Sequence, residues 1–167
     1  MTGKQKNMTV FFGLFVIAAA ALFCFFILVK DKQGVSKMDV IEAKRTVQKF
    51  IDAHNSADLE KCIYYTAAPI QGAYDNHSVP EDNIFAYDYH IDGLIYDPDS
   101  VLYSVSKELF NQHNIQSGDG IYLYANFTPS LKDGNESAVW NSGEAYDYFG
   151  FWLIKADGEW KLMDWGM

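Results

Sequence analysis

The segment YDYFGFWLIKADGEWKLMDWGM, from Tyr146 to Met167, decides the fold because it predicts a β-hairpin. Asp157 and Gly158 separate two aromatic-rich runs, and Asp-Gly favours a type I′ turn, whose two central residues both need positive φ. The flanking runs are hydrophobic at almost every position. A hairpin that is apolar on both faces has to be covered on both faces, so we expect other elements on each side of it.

Alternation of side chains along a strand predicts which residues share a face. On the first strand of the hairpin, one face is expected to carry Tyr146, Tyr148, Trp152 and Ile154, and the other Phe149, Phe151 and Leu153. On the second strand, Trp160 and Leu162 are expected to lie opposite Met163 and Trp165.

Two helices are predicted upstream. Ser36 and Asp39 resemble a capping box, and apolar residues then recur at helical spacing. These apolar positions are Val40, Ala43, Val47, Phe50 and Ile51. The sequence HNSAD breaks this helix, and Asp58 can cap a second, short helix that runs through Tyr65.

The middle of the chain alternates loops, strands and one further helix. Residues 68–83 are predicted to form a loop, and residues 84–96 a strand. The run VLYSVSKELFNQ favours a helix with Ser100 as its cap, GIYLYANF favours a strand, and PSLKDGNES a turn. This order predicts an α+β domain with an antiparallel sheet.

The N-terminal segment predicts a membrane anchor. Residues 8–29 have Thr9 as their one polar side chain, and a helix of this length spans roughly 33 Å, enough to cross a bilayer core. We therefore expect residues 1–34 to form a short tail, a transmembrane helix and a stalk. We expect the tail to be cytoplasmic, although the lysines on either side of the helix leave its orientation open. Residues 35–167 are expected to form one domain, with the lipid bilayer as a partner of residues 8–29.

Charge and cysteine content exclude several classes of function. The net charge is −9, and because the first 34 residues contribute +3, residues 35–167 carry −12. A surface this acidic repels phosphates, so nucleic-acid binding is excluded. Cys24 lies in the apolar segment and Cys62 in a predicted helix, so no internal disulfide is expected. We also expect no cofactor and no metal site.

The two ends of residues 35–167 resemble the nuclear transport factor 2-like superfamily. The segments TVQKFIDAHNSADLEKCIYYTA and YFGFWLIKADGEWKLMDWG carry the resemblance, the second through Asp157, Gly158, Trp160, Lys161 and Leu162. The resemblance implies a curved antiparallel sheet wrapped around the N-terminal helices as a cone. The chain looks most like uncharacterised members tethered to Gram-positive cell surfaces, which implies an outward-facing domain.

One strand carries the candidate catalytic residues. In DYHID, alternation places Asp88, His90 and Asp92 on one face. These groups could form a general base with its orienting partner, or a site for a hard cation. The alternative is a solvated strand face opposite Tyr89 and Ile91, and this is the interpretation we favour.

Further candidate residues would bind ligands or proteins. His54, Tyr87, Tyr122 and Tyr124 are candidate pocket residues, since tyrosine offers an apolar ring together with a hydroxyl. Phe149, Phe151 and Trp165 are candidate interface residues, because the outer face of the sheet often forms a dimer interface in the superfamily. Packing within the core is the competing interpretation for most of these aromatic residues.

We expect a membrane-anchored, extracytoplasmic module at a bacterial cell surface that binds a protein partner or a second copy of itself. The layout also resembles inner-membrane scaffold components of type IV secretion and conjugation machines, which join one transmembrane helix to this fold. The alternative is a small isomerase-like or cyclase-like enzyme that uses Asp88 or His90 as a base inside the cone.

Overall fold

The computed structural model describes Val16 and residues 29–68, 85–132 and 141–166. The predicted transmembrane helix, except for Val16 and Val29, therefore lies outside the described residues, as does nearly all of the predicted loop at 68–83. Within the described ranges, no helix is long and apolar enough to cross a membrane.

The described elements form an α+β domain, as predicted. They are α1 (Lys37–Asn55), α2 (Leu59–Tyr65), β1 (Tyr87–Ile95), α3 (Val101–Gln112), β2 (Gly120–Leu131), β3 (Tyr146–Ala156) and β4 (Glu159–Gly166). The four strands pair antiparallel in the order β1-β2-β3-β4. Each of the three pairings contains a register shift, and such bulges bend the strands into a curved sheet.

The predicted helix starts are confirmed. At α1, the Ser36 hydroxyl accepts the Asp39 N–H at 3.1 Å, and the Asp39 carboxylate accepts the Ser36 N–H at 3.0 Å. Asp58 and Ser100 cap α2 and α3 in the same way, each accepting the N–H three residues later. These bonds satisfy backbone donors that the first helical turn leaves without partners.

The main core lies between α1 and the inner face of the sheet. From α1, the buried apolar side chains are Ala43, Val47, Phe50, Ile51 and Ala53. From the sheet, they are Ile121, Leu123, Ala125, Phe127, Phe149, Phe151, Leu153, Trp160 and Leu162. The rings of Phe127 and Phe149 stack with their centroids 4.1 Å apart. The apolar stripe predicted for α1 is thus the side that faces the sheet.

A second cluster lies on the outer face, under α3. Tyr103 and Phe110 of this helix pack with Tyr122 and Met163 of the sheet. Both faces of the C-terminal hairpin are therefore covered, as its composition predicts. The turn is also confirmed, since Asp157 and Gly158 have φ values of 52° and 82°.

A bulge in β3 corrects the predicted face of Tyr146. Ala125 pairs with Phe149, and Phe127 pairs with Tyr146. Between these two pairs β2 has one residue and β3 has two, so β3 carries an extra residue. Tyr148, at the bulge, has a φ of 59°. Simple alternation therefore fails there: Tyr146 lies on the inner face, with its ring 6.4 Å from that of Phe127, while Tyr148 remains on the outer face.

A second bulge, in β4, corrects the predicted face of Trp165. Trp152 and Leu153 are adjacent in β3, but their partners Asp164 and Leu162 are two residues apart. As a result, Trp165 lies on the inner face and its ring is 5.0 Å from that of Phe50. The prediction that Trp165 shares the face of Met163 is wrong.

The turn predicted for PSLKDGNES does not begin at Pro129, and its residues 133–137 lie outside the described residues. Strand β2 continues to Leu131, and Pro129 pairs with Tyr89 of β1. The missing N–H of proline is tolerated because the pairing of β2 with β3 ends at Phe127.

The position of Trp165 predicts that it stabilises the fold. We expect Trp165→Ala to lower the free energy of unfolding by about 2–3 kcal/mol, less than for a fully buried tryptophan, because Trp165 is only partly buried against the core. Val101→Ala is the control, since Val101 is 79% exposed and its truncation should change stability by less than ~0.5 kcal/mol. The measurement is thermal unfolding of the full-length protein at two concentrations. A loss of stability that appears only at the higher concentration would instead place Trp165 in an interface.

The capping box predicts a loss of stability in acid. Burial raises the pKa of Asp39, but hydrogen bonds from Ser36 and Lys155 outweigh burial and lower it to about 2. A carboxyl group whose pKa is lower in the folded state stabilises the protein at pH above ~4, and this contribution is lost as the pH falls through ~2. We expect the stability difference between wild type and Asp39→Asn to be about 2 kcal/mol at pH 6 and to shrink towards zero at pH 2.

The matched control is Asp52→Asn, at an exposed carboxylate on the same helix. A difference between wild type and Asp39→Asn that stays constant from pH 6 to pH 2 would contradict the role assigned to the Asp39 charge.

Candidate functional site

The segment predicted as a stalk, residues 30–36, is folded against the domain. Asp31 is its centre: the carboxylate accepts the N–H groups of Gln33 at 2.8 Å and Val35 at 3.0 Å, together with the hydroxyl of Tyr96. Burial, followed by the hydrogen bond to the Asp31 carboxylate, raises the pKa of Tyr96, which therefore keeps its proton and remains a donor. Lys30 and Ser36 form an antiparallel bridge that closes the loop between them.

Backbone contacts hold the same loop against the turn before β2. The Ser117 hydroxyl donates to the Gln33 carbonyl at 2.7 Å. Gly34 and Gly118 both have positive φ and lie so close that a Cβ on Gly118 would be 2.8 Å from the Gly34 carbonyl oxygen. A side chain on Gly118 would therefore force the stalk away from the domain. Lys32 also forms an ion pair with Asp99.

The folded stalk forms one wall of an apolar groove of about 690 Å³, which we name the α1 groove. Its apolar lining residues are Val29, Val35, Val40, Ile41, Tyr96 and Pro98. Three lysines, Lys30, Lys37 and Lys44, also line it. Its volume lies in the range of ~300–1,000 Å³ that is typical of ligand pockets. Ile41 is 49% exposed, although it is a large aliphatic residue.

The outer face of the sheet carries a second exposed apolar surface. Ile95 pairs with Tyr124 across β1 and β2, and the rings of Tyr124 and Tyr148 are 5.8 Å apart. We name these three residues the outer tyrosine patch. Ile95 is 44% exposed and Tyr148 61% exposed. Tyr148 has a left-handed backbone conformation, which costs a residue with a Cβ roughly 1–2 kcal/mol of folding free energy.

The candidate catalytic residues lie on the same outer face and are exposed, as the favoured interpretation predicts. Asp88, His90 and Asp92 pair with Ser130, Thr128 and Asn126 of β2. Asp88 forms an ion pair with Lys132, with 3.2 Å between the oxygen and the ammonium nitrogen. In the described part of the chain, no group of three histidine, cysteine or acidic side chains is placed to hold a metal ion.

The candidate pocket residues His54, Tyr87 and Tyr122 are packed. His54 is 2% exposed; its ring stacks on Tyr89 with 4.0 Å between centroids, and the edge of Phe85 is nearby. Tyr87 and Tyr122 are each 4% exposed, and the ring of Tyr122 is 4.9 Å from that of Trp152.

Tyr124 is the exception among the candidate pocket residues. It is partly buried and belongs to the outer tyrosine patch. The patch is an open surface on the sheet and not the interior of a cone.

The candidate interface residues lie on the inner face. Phe149 is 0% exposed and Phe151 1% exposed, both in the main core, and Trp165 packs on Phe50. The structure therefore removes these three residues from the outer surface where an interface was expected.

Cys62 is buried, and burial together with the charge of Asp58 raises the pKa of its thiol to about 12, which keeps it unreactive.

Sequence reasoning missed the α1 groove and the contribution of Tyr148. The groove depends on contacts between Asp31 and Tyr96, 65 positions apart, which no local pattern reveals. One local signal was present, since Lys37, Ile41 and Lys44 recur at helical spacing on a side of α1 that the core stripe does not use.

Comparison with known proteins found no matching family model and no matching curated protein. Among solved structures, the chain is similar to a protein of unknown function with a cystatin-like fold from Nostoc punctiforme. The TM-score is 0.47 at 10% identity, and the match covers 77% of this chain and 89% of that chain. Cystatin-like and nuclear transport factor 2-like folds are related α+β cones, but a likeness this distant carries no argument about function.

The bond between Tyr96 and Asp31 predicts that Tyr96→Phe loosens the stalk. A hydrogen bond to a charged group contributes ~1.5–3 kcal/mol, so local opening of the loop should become about 10- to 150-fold more frequent. Trypsin cleavage after Lys30 and Lys32 in the full-length protein measures this opening, because proteases cut chains that have locally unfolded. Tyr64→Phe is the control, since it removes a tyrosine hydroxyl that donates to an exposed carboxylate, Glu159. Equal cleavage of both variants would show that the bond does not hold the stalk.

Proposed function

We propose that this chain is a membrane-anchored, extracytoplasmic protein-interaction module of the nuclear transport factor 2-like superfamily, tethered at a bacterial cell surface. In this proposal residues 8–29 cross the membrane and the domain presents the outer tyrosine patch to a protein partner. The superfamily assignment is supported by the order of α1, α2 and β1, by the curved antiparallel sheet, and by the hairpin with Asp157-Gly158 at its turn.

The backbone of Tyr148 carries the proposal for the patch. A non-glycine residue at φ 59° costs folding free energy, and its side chain recovers little of this by packing, because it is 61% exposed. Glycine would adopt the same conformation without the cost. A strained and exposed aromatic residue beside Tyr124 and Ile95 is the arrangement expected of a contact residue, since tyrosine supplies apolar area and a hydroxyl together.

The position of the acidic strand disfavours the alternative enzyme. Asp88, His90 and Asp92 are solvent-exposed on the open face of β1. A base of the isomerase or cyclase type works inside an enclosed, largely apolar site that excludes water. We therefore place these residues at the margin of the interaction surface and assign them no catalytic role.

The role of Tyr148 can be separated from its effect on folding. Tyr148→Gly should raise or preserve the stability of the full-length protein, because glycine relieves the left-handed strain, but it should abolish partner capture. Ala57→Gly is the matched control: Ala57 has a φ of 54° and is exposed, but it offers no aromatic side chain.

The measurement is in-cell crosslinking of full-length wild type and both variants, followed by mass spectrometry of the captured proteins. We expect stoichiometric capture of a membrane or secretion protein by wild type and Ala57→Gly, and its loss in Tyr148→Gly. Unchanged capture by Tyr148→Gly would refute the patch as the contact surface. Crosslinked lysines of the domain would also show on which side of the membrane it lies.

A further inference from the structure

We propose that the α1 groove binds an anionic phospholipid of the bilayer that anchors the chain. This inference rests on the proposed membrane anchor and adds a second, distinct binding site to the domain. The outer tyrosine patch would bind the protein partner, and the α1 groove would bind the headgroup and upper acyl chain of a lipid.

The position of the groove along the chain is the first argument. Val29 is the last residue of the apolar segment at 8–29, and it lines the groove directly. If the segment crosses the bilayer, its final residue lies at the level of the headgroups. In this proposal the groove therefore lies beside the headgroups, within reach of the upper acyl chains.

The folded stalk is the second argument. A free stalk would let the domain tumble and move the groove away from the bilayer. Here Lys30 bridges to Ser36, and the Asp31 carboxylate binds both Val35 and Tyr96, so the groove walls and the end of the apolar segment belong to one unit. Tyr96 lines the groove, and its hydroxyl also donates one of the hydrogen bonds that hold the stalk in place.

The charges around the groove select the lipid. Residues 35–167 carry a net charge of −12, and a surface this acidic repels an anionic leaflet. The groove departs from this average because three lysines, Lys30, Lys37 and Lys44, line it against one carboxylate, that of Asp31. This carboxylate already accepts hydrogen bonds from Gln33, Val35 and Tyr96. Lys37 and Lys44 flank the exposed Ile41 on one side of α1, four and three residues away. A cationic margin around an apolar channel complements a lipid with a negatively charged headgroup.

The test uses the full-length protein reconstituted into phosphatidylcholine vesicles that contain phosphatidylglycerol as the anionic lipid. Either lipid is supplied with a photoactivatable diazirine on its acyl chain, and the labelled residues are mapped by mass spectrometry. We expect the phosphatidylglycerol probe to label the first half of α1 and the segment around Tyr96, and to do so at least tenfold more than the phosphatidylcholine probe.

Variants on α1 link the labelling to the groove. Ile41→Glu should abolish labelling, whereas Met38→Glu should leave it unchanged, because Met38 is similarly exposed one turn away but does not line the groove. Lys44→Gln should lower labelling about fivefold, the factor that corresponds to the ~1 kcal/mol contributed by one lysine near an anionic surface. Lys49→Gln, at an exposed lysine of α1 outside the groove lining, is the charge control.

Several outcomes would overturn the proposal. Equal labelling by the two probes, equal loss in Ile41→Glu and Met38→Glu, or absence of label from the groove would each do so. Absence of label would mean that a second copy or the chain's own residues 17–28 occupy the groove. Flotation of the vesicles after alkaline washing measures insertion independently: an inserted protein with an unlabelled groove refutes this inference alone, and a protein that does not insert refutes the membrane anchor as well.

Discussion

The packing of α1 against the inner face of the sheet is the constraint on which the other features depend. This helix has 19 residues and is therefore about 28 Å long, and it contacts both edge strands of the sheet, β1 and β4. Phe50 and Val47 are fully buried beneath it. Because the core stripe sets the rotation of α1, it also determines what the rest of the helix presents. Ile41 and Lys44 are left to line the groove, and Asn55 at the far end bonds both the N–H and the C=O of Tyr89, which protects the open edge of β1.

Local signals in the sequence predicted the elements, because helix caps and tight turns are set by residues three or fewer positions apart. Ser36, Asp58, Ser100 and the Asp157-Gly158 turn all act where their chemistry predicts. The errors came from the faces of the last hairpin. A bulge arises from a mismatch in residue number between two paired strands, so it cannot be read from one strand. Such mismatches at Tyr148 and beside Leu162 changed the faces of Tyr146 and Trp165. Phe149 and Phe151 share a face with Leu153 as predicted, but that face is the inner one, so these two expected interface residues are in the core.

The candidate site could be predicted less well than the fold, because both of its surfaces depend on contacts between distant parts of the chain. Alternation correctly placed Asp88, His90 and Asp92 on one solvated face, since β1 is regular over that stretch. It could not show that Tyr124 would be partly open while Tyr122 is covered. That difference depends on where α3 lies, because Tyr103 packs near Tyr122 and leaves the neighbourhood of Tyr148 uncovered. The tyrosine content therefore predicted an exposed tyrosine surface, but it could not predict which tyrosines would form it.

The folded stalk would reduce the entropy that a scaffold protein loses when it binds a partner. A flexible linker of the seven residues 30–36 would span roughly 15 Å and allow the domain to take any orientation relative to the end of the apolar segment. The contacts of Asp31 with Tyr96 and of Gly34 with Gly118 remove that freedom when the protein folds, before any partner arrives. Association then loses less orientational entropy, because the binding surface already has a defined direction relative to the end of the apolar segment. A small enzyme acting on a freely diffusing substrate would gain nothing from such a constraint. A module that binds a protein partner, as we propose for this chain, would gain affinity from the same constraint.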